Sequence, residues 1–441
     1  MPKLRALALV SACLLASLAD LSGSPAAARS DAACTTTLWT SGVGGYSTYR
    51  IPAVVNTGGT LVAFAEARRN GGADNGDVQV VERRSADGGC TWTPSRVVAD
   101  DRNNTVDNPV PLVAADGSLV LVTDWQLGSV TQSQIQAGKV SAANGRRIFV
   151  QISRDRGVTW TARREITKSV KRSNWLWYAT GPGHGLTIHH GAAAGRLVVA
   201  TDHSTPGGGQ GVHTLISDNG GATWRIGAVD DHTDGAIAPD ETTVAELPDG
   251  RLYFSSRNQI SSSSQAARTK AARAQAARTQ TARSQAARHQ AGPRPSGHGR
   301  ASRKRSSRTG SATSAVHRTY TFSLSSGSTF SAPFRPAPAL VTPIVEGSLL
   351  QDPGLPSGVS CAPLLFSGPE SPSIRQHLTV RRSDDGGRTW RDIAELTGPT
   401  VPAAYSDMVK VDRSRLGVLY ETGSRGPYER IDWRTFTLGC P

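Results

Sequence analysis

Short stretches in which apolar and polar residues alternate, or in which a few apolar residues run together, recur along the chain between Gly, Asp, Asn and Pro. Residues 61–67, 78–83, 119–124, 149–152, 197–201, 213–216, 252–256, 364–366, 378–381, 416–421 and 435–438 all read this way. A period of two bounded by turn residues is the signature of strands. No convincing amphipathic helix stands outside residues 261–316, so the chain is predicted to be all-β.

One octet punctuates these strands. Residues 383–390 read Ser-Asp-Asp-Gly-Gly-Arg-Thr-Trp, and 85–92, 153–160 and 217–224 repeat the frame. A worn fifth copy at 323–330 carries Ser325 in place of the acid and ends in Phe330. Each copy follows a predicted strand. Such a segment suits a hairpin tip, because an Asp carboxylate accepts bonds from nearby backbone N–H groups and Gly tolerates positive φ. A calcium loop starting at Asp384 is excluded, because its third and fifth positions would be Gly386 and Arg388. One octet alone would be an ordinary turn. Four copies with Thr-Trp attached, spaced 68 and 64 residues apart where they are consecutive, predict radially repeated small sheets, as in a β-propeller.

The gap between Trp224 and Phe330 is too long for this rhythm, and residues 261–316 account for the excess. This segment opens on four serines and then carries arginine at 268, 273, 278, 283 and 288. A five-residue period winds the arginines around a helix and leaves no apolar face. With nothing large to bury, it is predicted to be a solvated, disordered insertion. The competing reading is a polyanion-binding arm. The charge of the chain is concentrated here: residues 261–318 hold eleven Arg, two Lys and no acid, out of a net charge of +14. The remainder is close to neutral, which argues against a specific nucleic-acid partner.

Residues 1–29 stand apart. Lys3 and Arg5 precede an apolar run over 6–19, and small residues at 25–28 offer a cleavage site. This is the pattern of a secretory signal peptide, and the run is too short to span a membrane comfortably. Residues 30–441 then form the globular domain, and a secreted, extracellular location is expected. Cys13 would leave with the leader; Cys34, Cys90, Cys361 and Cys440 remain, an even number that permits two disulfides. A ring closed by its terminal strands would bring Cys34 and Cys440 together, and that bridge is the one expected. No Cys or His pattern of metal-ligand spacing occurs, so neither metal nor cofactor is expected.

Three arginines have unusual settings: Arg50 in Tyr-Arg-Ile-Pro, Arg257 after Leu-Tyr-Phe-Ser-Ser, and Arg375 in Arg-Gln-His-Leu-Thr-Val. Singly, each would be a surface cation. Together they offer three guanidinium forks suited to a planar carboxylate. With Phe-Ala-Glu-Ala-Arg at 64–68, Ala-Tyr-Ser-Asp at 404–407, Leu-Tyr-Glu at 419–421 and the repeated octets, the chain resembles a sialidase (neuraminidase) of the bacterial and animal glycoside hydrolase type. The likeness runs from about residue 36 to 438, apart from the insertion.

The resemblance implies a six-bladed β-propeller with the active site at its centre. It implies Arg50, Arg257 and Arg375 as the clamp on the sialic acid carboxylate, with Glu421 orienting Arg50. Asp74 corresponds to the acid/base, with Asp77 in the same loop ranked second. Tyr405 corresponds to the nucleophile, Glu241 to the carboxylate that deprotonates it, and Arg68 to a further arginine of the pocket. The implied substrates are sialylated glycans, glycoproteins or glycolipids. A phenol suits this chemistry, since an anionic nucleophile would meet the carboxylate already on the anomeric carbon. Asp240 before Glu241, Arg156 in the second octet and Asn219 in the third depart from the family pattern. Two rival functions are a trans-sialidase, intramolecular or not, and a sialic-acid-binding propeller without catalysis. For Asp74 to act as an acid, the arginines must stand far enough away not to pin it as an anion.

Overall fold

The computed structural model describes residues 33–232, 237–260, 317–351 and 363–438. The predicted leader (1–29), the insertion (261–316), Cys361 and Cys440 lie outside the described residues. Twenty-five strands and three short helical turns make up the described part. The all-β expectation holds, with additions that periodicity could not reveal: helices at Gln132–Gln136 and Thr167–Val170, each too short to carry a stripe. The first is fixed locally, by a capping box between Thr131 and Gln134.

The strands form antiparallel meanders arranged as a propeller. Hydrogen bonding divides them into five sheets, one of which has eight strands. In that sheet two four-stranded meanders are fused by one parallel pairing, Val78 with Thr105. The strand Thr35–Thr40 pairs antiparallel with Arg430–Thr437, so the two ends of the described chain share a sheet. Runs such as Leu119, Val120, Leu121 and Val122 are wholly buried, because these sheets are covered on both faces.

The five octets are closed turns. In the first, Asp87 accepts the Thr91 amide at 3.0 Å and the Thr91 hydroxyl at 2.6 Å, while the Ser85 hydroxyl accepts the Gly89 amide at 2.8 Å. Residues 153–160 and 383–390 repeat the clasp through Asp155 and Asp385. Asn219 serves in the third copy, and in the worn copy the Ser325 hydroxyl still accepts the Thr329 amide at 2.8 Å. The fifth residue of each octet, a glycine in all five, lies against the preceding meander. A Cβ on Gly89 would come 1.9 Å from Nε1 of Trp433, and one on Gly387 would come 2.6 Å from Cε2 of Tyr253. The closing aromatic turns inward: Trp92 meets Trp433 edge-on at 5.4 Å and Trp160 meets Phe64 at 6.0 Å.

The expected Cys34–Cys440 bridge is corrected. Cys34 is bonded to Cys90, in the first octet. The strand Thr35–Thr40 lies at the outer edge of its sheet, where the neighbouring octet reaches it.

Candidate active site

The strands Thr48–Thr57, Thr105–Val113, Pro239–Glu246 and Ala403–Lys410 each start a meander or sheet, and each carries a register shift in its first few residues. The shifts fall between Arg50 and Ala53, Asp107 and Val110, Pro239 and Thr242, and Ala403 and Ser406. A bulge inserts a residue and re-aims the side chains beside it. The backbone shows it, with φ of 56° at Ile51 and 48° at Asn108. Arg50, Asp240, Glu241 and Tyr405 all lie at these bulges. Because the next strand is antiparallel, its final residues reach the same end, which adds Arg68, Arg257 and Glu421.

Tyr405 and Glu241, 164 positions apart in the chain, are in direct contact. The phenol hydroxyl lies 2.6 and 2.8 Å from the two carboxylate oxygens. Arg257 completes the cluster: Nη1 is 2.8 Å from the Tyr405 hydroxyl and 2.7 Å from Glu241 Oε2, and Nη2 donates to Asp240 at 2.7 Å. Asp240 also accepts the Glu241 amide at 2.7 Å, which fixes the turn of the bulge. Burial pushes the Tyr405 phenol well above its ordinary range; Arg257 opposes this and Glu241 adds to it. Burial likewise raises the Glu241 carboxyl, with Arg257 opposing and Asp240 adding. The phenol therefore keeps its proton in the unliganded protein and points it at the carboxylate.

Arg50 and Arg375 flank the same phenol. Their guanidinium carbons lie 5.0 and 5.4 Å from the centre of the Tyr405 ring. Arg50 is held by Glu421, whose Oε1 accepts its Nε at 2.7 Å and the Ile51 amide at 2.9 Å. The other Glu421 oxygen accepts the Tyr405 amide at 3.2 Å. Glu421 is fully buried and so ties the arginine and the tyrosine to one carboxylate. Arg375 sits in the loop between the strands Leu364–Pro369 and Leu378–Ser383, and donates to the Ile344 carbonyl at 2.8 Å and the Tyr428 hydroxyl at 2.5 Å.

Asp74 and Arg68 form the opposite wall. Arg68 donates through Nη1 to Asp74 at 2.7 Å and through Nη2 to Glu66 at 2.6 Å. Arg68 and Glu66 are buried, whereas the Asp74 side chain is 66% exposed. Partial burial pushes the Asp74 carboxyl up, but Arg68, then Arg50 and Arg257, outweigh it, and the net position is below the usual aspartate range. The three clamp arginines were the expected threat to an acid at this position. The cation in contact is instead Arg68, the fourth. Asp77 faces elsewhere: its carboxylate meets Arg69 at 3.3 Å and Gln79 at 3.5 Å, with Tyr46 also bonded to Gln79.

The structure thus brings Arg50, Arg68, Arg257, Arg375, Asp74, Glu241, Tyr405 and Glu421 to one end of the propeller and leaves Asp77 aside. Three further residues belong to the cluster and escaped sequence reasoning. Tyr428 bridges two arginines, Glu66 holds Arg68, and Asp202 is a buried carboxyl close to Asp240 and Glu241. Burial, then Asp240 and Glu241, push Asp202 well above its usual range. Only Glu66 carried a signal, since it sits two positions before Arg68 on the same strand and so points to the same face. Among the described residues no group of His, Cys, Asp and Glu could hold a metal ion. A separate cavity of about 1030 Å³ opens at the other end of the same strands, lined by Asn56, Glu246, Leu349, Met408 and Leu416 and by none of the residues above.

Known proteins share this plan. Residues 59–418 match the BNR repeat-like domain family. The chain is 28% identical over 423 residues to an exo-alpha-sialidase from Aspergillus fumigatus, covering 89% of this chain and 85% of that protein. It is 26% identical over 394 residues to a sialidase from Micromonospora viridifaciens, covering 86% of this chain and half of that longer protein. Among solved structures, the Hadza microbial sialidase Hz136 superposes with a TM-score of 0.66 at 22% identity, over 89% of this chain and 66% of that one. That last likeness speaks for the fold alone. From the match of the repeat family across most of its length, together with these relatives, the chain belongs to the BNR-repeat sialidase family.

Proposed function

We propose that this protein is an exo-α-sialidase that hydrolyses terminal sialic acid from glycoconjugates with retention of configuration. The carrying observation is the Tyr405 hydroxyl shared by both oxygens of Glu241, with three guanidinium groups around the same ring. The arginines bind the substrate carboxylate, which places the anomeric carbon over the phenol. Tyr405 attacks that carbon as its proton passes to Glu241, and the glycosidic oxygen leaves with a proton from Asp74. Water then attacks the glycosyl–tyrosine, losing a proton to Asp74, and Glu241 returns its proton to the phenolate. Both carboxyls end as they began, and the cycle uses no cofactor. Because Arg68 holds Asp74 as an anion in the unliganded protein, substrate binding has to loosen that contact before Asp74 can donate.

We further read the eight-stranded sheet as two blades, giving six in all. In support, each of its halves is a four-stranded meander with its own octet between the third and fourth strands, and the octets lean in turn on the preceding meander. An exported protein with residues 1–29 as its leader is supported by the Cys34–Cys90 bond, which persists in oxidising compartments.

Incubation with an aryl α-sialoside, followed by NMR, tests the reading. Free sialic acid appearing first as the α-anomer is expected, and Tyr405→Phe and Asp74→Ala should each slow its release. Transferred or anhydro products would instead mark a trans-sialidase, and binding without release would mark a lectin.

A further inference from the structure

Tyr428 lies in the loop between the strands Arg415–Thr422 and Arg430–Thr437. That loop is closed on itself: the Glu429 carboxylate accepts the amides of Ser424 at 2.9 Å and Arg425 at 2.7 Å. Ser41 ties it to the neighbouring loop, donating its hydroxyl to the Tyr428 carbonyl at 2.7 Å and its amide to the Glu429 carbonyl at 2.9 Å. The backbone that carries Tyr428 is therefore fixed from both sides.

Its side chain reaches two of the three clamp arginines. The Arg50 guanidinium lies 4.1 Å from the centre of the Tyr428 ring and 5.0 Å from that of Tyr405, so both rings contact the one cation. The Tyr428 hydroxyl accepts a hydrogen bond from Nη1 of Arg375 at 2.5 Å. The other described hydrogen-bond partner of Arg375 is a neutral carbonyl, that of Ile344. Arg50 and Arg257, in contrast, already face Glu421, Asp240 and Glu241. Arg375 thus makes no direct ion pair with a described carboxylate, Glu241 acting on it only from a distance, and its hydrogen bonds go to a carbonyl and one phenol.

We propose that Tyr428 is a positioning residue for the substrate carboxylate, its ring packing against Arg50 while its hydroxyl aims Arg375. The inference rests on the sialidase reading and adds to it a residue outside the catalytic set. A ring under a guanidinium gives a cation–π contact, and a hydroxyl on a charged donor gives a directional one, so the two arginines are set relative to each other by a single side chain.

The test compares wild type with Tyr428→Phe, which keeps the ring and deletes the hydroxyl, and with Tyr428→Leu, which removes both. Kinetics on an aryl α-sialoside are measured together with inhibition by the 2,3-didehydro sialic acid glycal and by the same glycal with its carboxylate converted to a carboxamide. Loss of one charged hydrogen bond should raise KM and the inhibition constant of the carboxylate glycal about tenfold in Tyr428→Phe, with kcat within about twofold. The carboxamide constant should stay within about twofold, and Tyr428→Leu should weaken the carboxylate glycal further. An unchanged KM, or an equal loss for both glycals, would overturn the positioning role. A wild type that neither cleaves the sialoside nor binds the carboxylate glycal would overturn the sialidase reading itself, which the variant data alone cannot do.

Discussion

At the rim, the octet at 85–92 closes over eight consecutive residues, and Ser85, Asp87, Gly89 and Thr91 satisfy one another without help from elsewhere. At the centre, Tyr405 is bonded to residues 148 and 164 positions away, and Arg50 to one 371 positions away. Rim turns are local and recur five times, so that Asn219 or Ser325 can stand in for the acid. Each central contact occurs once and is buried, with no second copy to share the load. A loss at the centre should therefore be felt in activity, and a loss at the rim in stability.

Glu421→Gln should give the largest effect and should fall on activity. It leaves the buried Arg50 without its counter-charge, a kind of change that costs about 3 kcal/mol or more. A fall in kcat/KM of about 10²-fold on an aryl α-sialoside is expected, carried mainly by KM. If kcat/KM holds while the melting temperature drops, the centre behaves as the rim does and the contrast fails.

Gly89→Ala is the rim counterpart. Its φ is +92°, and the added Cβ would lie 1.9 Å from Trp433 Nε1 and 2.4 Å from Cε2. Overpacking and the unfavourable backbone together should cost about 3 kcal/mol of stability. Thermal unfolding by circular dichroism reads the loss, and KM below the transition should match wild type.

This division also explains what the sequence reveals. The strands were legible because alternation is a nearest-neighbour property, and the octets because all their bonding partners lie within one window. Arg50, Glu241 and Tyr405 were found through the motifs of a resembling family, not through periodicity. Tyr428 escaped because its two partners lie on other meanders and no local pattern marks it. The link between Cys34 and Cys90 escaped for the same reason: two meanders meet there in space, while the chain ends suggested Cys440 as the partner. The parallel pairing of Val78 with Thr105, which fuses two meanders, depends on a single residue pair and leaves no trace in composition.

Acid should separate the two regions. Burial is the largest single influence on Asp87 and Asp385 and raises both, but the bonds from Thr91, Ser85 and Cys90, and from Thr389, Ser383 and Arg388, together outweigh it and hold each carboxyl at about 2. Asp155, exposed, is brought to about 2 first by the Thr159 hydroxyl. A folded pKa below the unfolded one means stability that is fully present above about 3.8 and is lost as pH falls through about 2. Glu241 is displaced upward, mainly by burial, so its proton-accepting form disappears at a higher pH than the turns open. With an aryl leaving group that needs no proton donor, kcat/KM should fall on acidification while circular dichroism still reports a folded protein. Unfolding that coincides with or precedes the loss of activity would remove the distinction.

Smaller changes should be confined to the rim. The first glycine position of the octet is Arg156 in the second copy and Ser326 in the worn one, with φ of 57° and 51°. A side chain in this conformation costs about 1 kcal/mol or slightly more, part of which glycine returns through the entropy of the unfolded chain. Arg156→Gly and Ser326→Gly should each stabilise the fold by about 0.5 kcal/mol, read as a rise in the urea midpoint at constant slope.

The smallest expected effect concerns the insertion at 261–316. The strands Leu252–Asn258 and Arg318–Ser323 pair directly, with Arg257 opposite Arg318 and the Asn258 amide donating to the His317 carbonyl at 2.8 Å. Residues 261–316 thus connect two strands already in register, and Asn-Gly in their place would leave a four-residue loop between Asn258 and His317, made with Gln259 and Ile260, a length common in hairpins. Arg257, one residue inside that hairpin end, is aimed by Asp240 and Glu241 on the adjoining strand. Replacing 261–316 with Asn-Gly should therefore leave kcat/KM on a small soluble sialoside within about twofold. A larger loss that disappears as salt is raised would show that the basic segment draws the anionic substrate toward the site. A salt-independent loss would show instead that the hairpin end, and with it Arg257, depends on the insertion for its geometry.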